Sequence, residues 1–151
     1  MKTTLLLGTF LAMGTGILIG SQATIGGRLG ALIGPARVGI WMNVAGGVVA
    51  AILAVVLVAR TPEAWPLPGR VVAWLFFAGL LGVLIVAGSS LALGRVGAAA
   101  GLSAMIFGQM LVATILDVTG LSTGEPIPVQ GTRVLGLVIM ALAVYLLLPR
   151  Q

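Results

Sequence analysis

Cysteine and histidine are both absent from this 151-residue chain. Their absence excludes disulfides, a Cys/His metal site, a thiol nucleophile and an imidazole general base. Acids are scarce as well: 3 Asp and Glu residues stand against 8 Lys and Arg, for a net charge of +5. The basic residues stand singly beside apolar runs and do not cluster, so the chain lacks the basic footprint that nucleic-acid binding requires. Charged residues make up only 7% of the chain, against about 25% in soluble domains. A water-soluble fold is excluded on that ground.

What is present is apolar residues, at 60% of the chain, and 23 glycines. A helix needs ~20 apolar residues to cross the hydrocarbon of a bilayer. Five runs approach that length, at about 4–25, 38–59, 71–93, 97–116 and 134–148. They predict an all-α integral membrane protein, one five-span domain over 1–151. The alternation of barrel strands is missing, and an open sheet edge in lipid would leave backbone groups unpaired. Lys2 before an apolar run and the small residues of Ser21-Gln22-Ala23 resemble a cleavable leader. The equally apolar remainder favours a retained first helix instead. The connection from Arg60 to Arg70 carries Pro62, Pro66, Pro68 and an interfacial Trp65; the one from Gly120 to Thr132 carries Glu125, Pro126 and Pro128.

Threading these spans alternately places Lys2, Arg60, Arg70 and Arg133 on one side and Arg28, Arg37, Arg95 and Arg150 on the other. Basic residues in short loops normally set orientation. An even split sets none, so the chain is expected to insert both ways and to pair antiparallel with a second copy. An internal echo accompanies the split. Gly20-Ser21 leads to Gly27-Arg28-Leu29-Gly30, and Gly88-Ser89 leads to Gly94-Arg95-Val96-Gly97. A duplicated helical hairpin followed by a fifth span would produce it. Gly16/Gly20, Gly97/Gly101 and Gly26/Gly30/Gly34 have the four-residue spacing that lets helix backbones approach.

Polar residues inside the spans are few: Ser21, Gln22, Thr24, Asn43, Ser89, Ser90, Ser103, Gln109 and Thr114. In lipid such groups need partners and should face inward. They either bond helix to helix or line a pathway. The fifth span has only Tyr145, which predicts a peripheral helix. Candidate substrate-binding residues are Gln22, Asn43, Ser89, Ser90 and Gln109. Arg28 joins them as a guanidinium able to take a carboxylate in two parallel hydrogen bonds, and Trp41 as a stacking surface. Arg28, like Arg95, also suits a headgroup anchor, and Trp41, like Trp74, an interfacial one. Asp117 closes the fourth span, where the helix macrodipole disfavours a negative charge by ~0.3–1 kcal/mol. It therefore needs a compensating partner, water or an arginine, or serves as a proton or cation coupling site. Nothing here predicts a metal or a cofactor.

Gln22-Ala23-Thr24-Ile25-Gly26-Gly27-Arg28-Leu29-Gly30 resembles the first-helix signature of the YdcZ-type proteins, short members of the drug/metabolite transporter superfamily. Gly79-Leu80-Leu81-Gly82, Leu93-Gly94-Arg95-Val96-Gly97-Ala98-Ala99, Gly108-Gln109-Met110-Leu111 and Asp117-Val118-Thr119-Gly120-Leu121 resemble that family's third and fourth helices in order and spacing. Gly26 departs from the pattern, which has asparagine there. The resemblance implies a multi-pass protein of a bacterial inner membrane and a five-span half-transporter, completed as a ten-helix inverted-repeat bundle. It is more distantly similar to the small multidrug resistance exporters, but their first-helix acid is missing.

Three functions are weighed on these residues. The first is a secondary-active transporter or exporter of a small metabolite or amphiphile, anionic or neutral, working by alternating access as an antiparallel homodimer. The second is a non-transporting membrane subunit that binds another membrane protein. The third, a membrane enzyme, is weakened by the absence of histidine and cysteine and by having one carboxylate, Asp117, near the membrane.

Overall fold

A computed structural model describes residues 2–61, 67–121 and 124–150, and side chains from residue 4 onward. Pro62, Trp65, Pro66 and the side chain of Lys2 lie outside the described residues. Among the described residues the fold consists of five helices: α1 Lys2–Ile33, α2 Pro35–Arg60, α3 Gly69–Val96, α4 Ala98–Val118 and α5 Gly131–Leu147. The first four are long and apolar enough to cross a membrane; α5 is a shorter apolar helix. The helices overrun the apolar runs. α1 has 32 residues, about 48 Å at 1.5 Å per residue, against ~30 Å of hydrocarbon. Hydropathy marks where lipid ends, whereas helical hydrogen bonding continues until a residue stops it. Arg28 and Arg37 consequently stand on helices and not in a loop.

Glycine sets two of the helix boundaries. Gly34 separates α1 from α2 with φ 89° and ψ 143°. Gly97 separates α3 from α4 with φ 81° and ψ 166°. Only glycine takes such angles without steric cost. At Gly34 the sequence reason is also Pro35, which disfavours helical angles in the residue before it and suits the first position of a new helix. The two junctions share one backbone pattern. Gly34 N–H donates to Gly30 and Gly97 N–H to Leu93, both at 3.0 Å. Val38 N–H donates to Gly34 at 3.2 Å and Gly101 N–H to Gly97 at 3.0 Å. The two junctions are alike, but they do not share the register of the echo in the sequence. The echo sets Gly30 opposite Gly97, whereas the junctions set Gly34 there, one helical turn later.

The chain forms two compact units, Met1–Leu91 and Ala92–Gln151. In the first, helices meet at small residues. A Cβ on Gly39 of α2 would lie 2.7 Å from the Val83 carbonyl oxygen and 2.8 Å from Ala87 Cβ on α3. A Cβ on Gly30 of α1 would collide with Ser90 Oγ of α3. The Ser90 hydroxyl donates 2.7 Å across to the Gly26 carbonyl, buried. Close approach is what four-residue glycine spacing provides; Gly30 uses it here, while a Cβ on Gly26 would make ordinary contacts with Met42 and Val38. Gly16, expected to use it as well, faces open space.

In the second unit α4 packs on α5. α4 ends in a Schellman motif. Gly120, at φ 72°, donates 3.1 Å to Asp117 O while Leu121 donates 3.0 Å to Leu116 O, satisfying two terminal carbonyls. Large apolar side chains are exposed along all five helices. In water that would be an aggregating surface; in a bilayer it is the surface that lipid or another membrane protein covers.

Candidate functional site

Most in-span hydroxyls are spent on their own helix. Ser21 donates to Ile17 O at 2.9 Å, Thr24 to Gly20 O at 2.8 Å and Ser103 to Ala99 O at 2.7 Å. Such bonds satisfy the group without a neighbour. Ser89 is buried and donates 3.0 Å to Val86 O. Among the described in-span hydroxyls, Ser90, only 1% exposed, binds across helices, to α1. Asn43 donates 2.8 Å to Gly39 O on its own helix, and its Oδ1 faces Gly82 of α3, 3.1 Å from where a Cβ would stand. Ser90 and Asn43 thus sit in the same glycine-lined packing of the first unit. Gln22, Arg28 and Trp41 are exposed on α1 and α2, and Gln109 on α4. The structure does not gather these candidates into one pocket within either unit.

The charged site forms elsewhere. Arg133 Nη2 lies 2.9 Å from Asp117 Oδ2, with the two side chains 37% and 22% exposed. Each charge stands at the wrong end of its helix. Asp117 is in the last turn of α4 and Arg133 in the first turn of α5, where the macrodipoles disfavour them by ~0.3–1 kcal/mol apiece. Pairing offsets both. Arg133 is the compensating partner that the position of Asp117 required. The pair is incomplete, because Arg133 Nη1 is buried with no hydrogen-bond partner. An unmet buried donor costs about 1–3 kcal/mol.

A cleft of 390 Å³ opens beside this pair. Met110, Ala113, Thr114 and Asp117 line it from α4, and Arg133, Gly136, Leu137 and Met140 from α5. Both sets fall at positions i, i+3, i+4 and i+7, one face of a helix. Small residues at 113 and 136 leave the space open, and a Cβ on Gly136 would meet nothing within 4 Å. One end of the cleft is charged. The other, one to two turns along, is methionine and leucine.

The fifth helix, expected at the periphery for its lack of polar residues, has no buried residue, and it supplies the arginine and half the lining of the charged cleft. Sequence places Arg133 among the loop charges, whereas the structure sets it in the first turn of α5. The signals for it are a carboxylate at a helix C-terminus in need of a cation and an arginine opening the next helix. Gln109 directly precedes Met110 but is not part of the lining face. Replacing Gln109 by leucine is expected to leave folded yield in detergent unchanged, because its side chain is exposed. Transport should fall several-fold if the amide faces a pathway; unchanged transport would make it a neutral surface position.

A family model described as "Putative inner membrane exporter, YdcZ" matches residues 7–146. No curated protein and no solved structure matches the chain.

Proposed function

We propose, since the chain belongs to the YdcZ family of inner membrane exporters, that it is one half of a secondary-active exporter completed by a second, oppositely oriented copy. It is a multi-pass inner membrane protein, and its family is one of exporters and not of enzymes. Its cargo on this reading is a small metabolite or amphiphile, anionic or neutral. Asp117, held by Arg133 at the mouth of a cleft, is the group that couples cargo to a proton or cation.

The helix count carries the reading. Five helices among the described residues are an odd number, so a chain in which every helix crosses has no inverted counterpart of itself. Alternating access in inverted-repeat transporters comes from one half rocking against the other around a site near the bilayer midplane. A second copy inserted the other way supplies that half. The even distribution of basic residues permits both orientations. Gln22 and Gln109 add support, because amides exposed on membrane helices need a protein or water partner.

The test uses orientation. Two lysines added between Arg60 and Arg70 should fix one topology, and the purified, reconstituted variant should lose transport. Co-expression with a copy carrying added lysines beside Arg150 should restore it. The single-glycine junctions at Gly34 and Gly97 leave no loop in which to place them. Full activity of the singly biased variant would refute the antiparallel dimer. Absence of transport by the unmodified, reconstituted chain, with function only beside another membrane protein, would favour the non-transporting subunit.

A further inference from the structure

We infer that the α4–α5 cleft is a binding site for an amphiphile with a single negative charge, its anionic head on Arg133 and its apolar tail along Met110, Leu137 and Met140. The inference deepens the exporter reading and rests on it for the step of transport, though not for binding.

Three observations converge. The cleft volume, 390 Å³, lies within the ~300–1,000 Å³ of small-molecule sites. Its polarity runs in one direction. Asp117 and Arg133 stand at the helix ends, and the methionines lie about 10 Å further along at 1.5 Å per residue. A ligand that fills it must therefore be polar at one end only. The sign of that end follows from the guanidinium. One nitrogen is held by Asp117 while Nη1 is buried without an acceptor. Rotation of the guanidinium toward the cleft offers Nη1 to a ligand oxygen and keeps the charge near Asp117. A carboxylate supplies two such acceptors. A cationic head would have to compete with Arg133 for Asp117, whereas an anionic head gains the donor that Asp117 leaves unmet. Thioether side chains are flexible and polarizable, which suits tails of differing shape.

An anionic head on an apolar tail also describes a lipid, so the test separates the two sources. The full chain is placed in phosphatidylcholine nanodiscs, and radiolabelled octanoate binding is measured by equilibrium dialysis against empty discs. Saturable binding is expected, and octanol should not compete. Arg133→Gln should weaken binding about tenfold or more, the loss typical of a hydrogen bond to a charged group. Gly136→Leu should abolish it by filling the cleft, without harming the fold, because the new side chain enters open space and glycine is a poor helix former. Gly8→Leu, at an equally open position on α1, should bind as the unmodified chain does.

Phosphatidylglycerol in the discs that displaces octanoate would assign the cleft to a lipid headgroup; octanoate binding undiminished by it would assign the cleft to a diffusible anion. Either result supports the anionic site. Binding that survives both Arg133→Gln and Gly136→Leu, or equal competition by octanol, would overturn it. Arg133-dependent binding without octanoate efflux from vesicles would leave the site standing and count against this class as exported cargo. Efflux indifferent to Gly136→Leu would remove the cleft from the transport path and leave the exporter reading intact.

Discussion

Replacing Gly39 by leucine is expected to abolish folded protein, and replacing it by alanine to destabilise the first unit by about 1–3 kcal/mol, the cost of overpacking a close contact. The new Cβ would sit 2.7 Å from the Val83 carbonyl oxygen and 2.8 Å from Ala87 Cβ. A carbonyl oxygen belongs to the backbone of α3 and cannot rotate away. Relief requires α2 and α3 to separate, which would also disturb Asn43 beside Gly82. Gly30→Ala is a milder companion, because its obstacle is the Ser90 hydroxyl, which can turn at the loss of its bond to Gly26. Removing that bond alone, by Ser90→Ala, should cost about 1 kcal/mol. Thermal unfolding in detergent, followed by size-exclusion profile, ranks the variants. A Gly39→Leu protein that is monodisperse and as stable as the parent would show that α2 and α3 do not pack at this point.

Breaking the Asp117–Arg133 pair has the second largest expected effect. Asp117→Asn and Arg133→Gln should each remove transport and lower stability by up to about 1 kcal/mol, the range of pairs whose side chains stay solvent-exposed, as these do at 22% and 37%. Each single substitution leaves a charge at the unfavourable end of its helix with its partner gone. The exchange Asp117→Arg with Arg133→Asp separates structure from function. It restores the pair and sets each charge at the helix end that the macrodipole favours, so stability should return to the parent level or above. Transport should remain lost, because the cation has moved from α5 to α4. Recovery of transport in the exchanged protein would reduce the pair to a structural clasp. Unfolding of Asp117→Asn at the parent temperature would show that the pair adds nothing to stability.

The two sites differ in how far sequence could reach them. Hydropathy located the helices because lipid imposes one rule on every residue that faces it, and that rule does not depend on what lies opposite. It misplaced their ends for the same reason. α1 runs past Ile25 to Ile33, where Gly34 and Pro35 stop it. Proline and glycine punctuate locally, so the α1–α2 junction was available from the dipeptide itself. The α3–α4 junction at Gly97 carries no proline and had to be seen. Asp117 was singled out by its position on a helix, a one-dimensional property. Arg133 as its partner was not, because a pair 16 residues apart depends on how the α4–α5 connection turns back.

The sequence by itself determined that this protein lives in a membrane, that it is helical, and that it carries neither cysteine nor histidine. Composition and period suffice for these, since each residue contributes independently. Only the tertiary structure decided which glycines bring helices together, with Gly30 and Gly39 packed and Gly16 open. It alone showed that the fifth helix lines a charged cleft. These depend on which faces meet. Side chains a turn apart on each of two helices make a cleft only when the helices pack in one particular register, and nothing in a linear chain of similar apolar residues records that register.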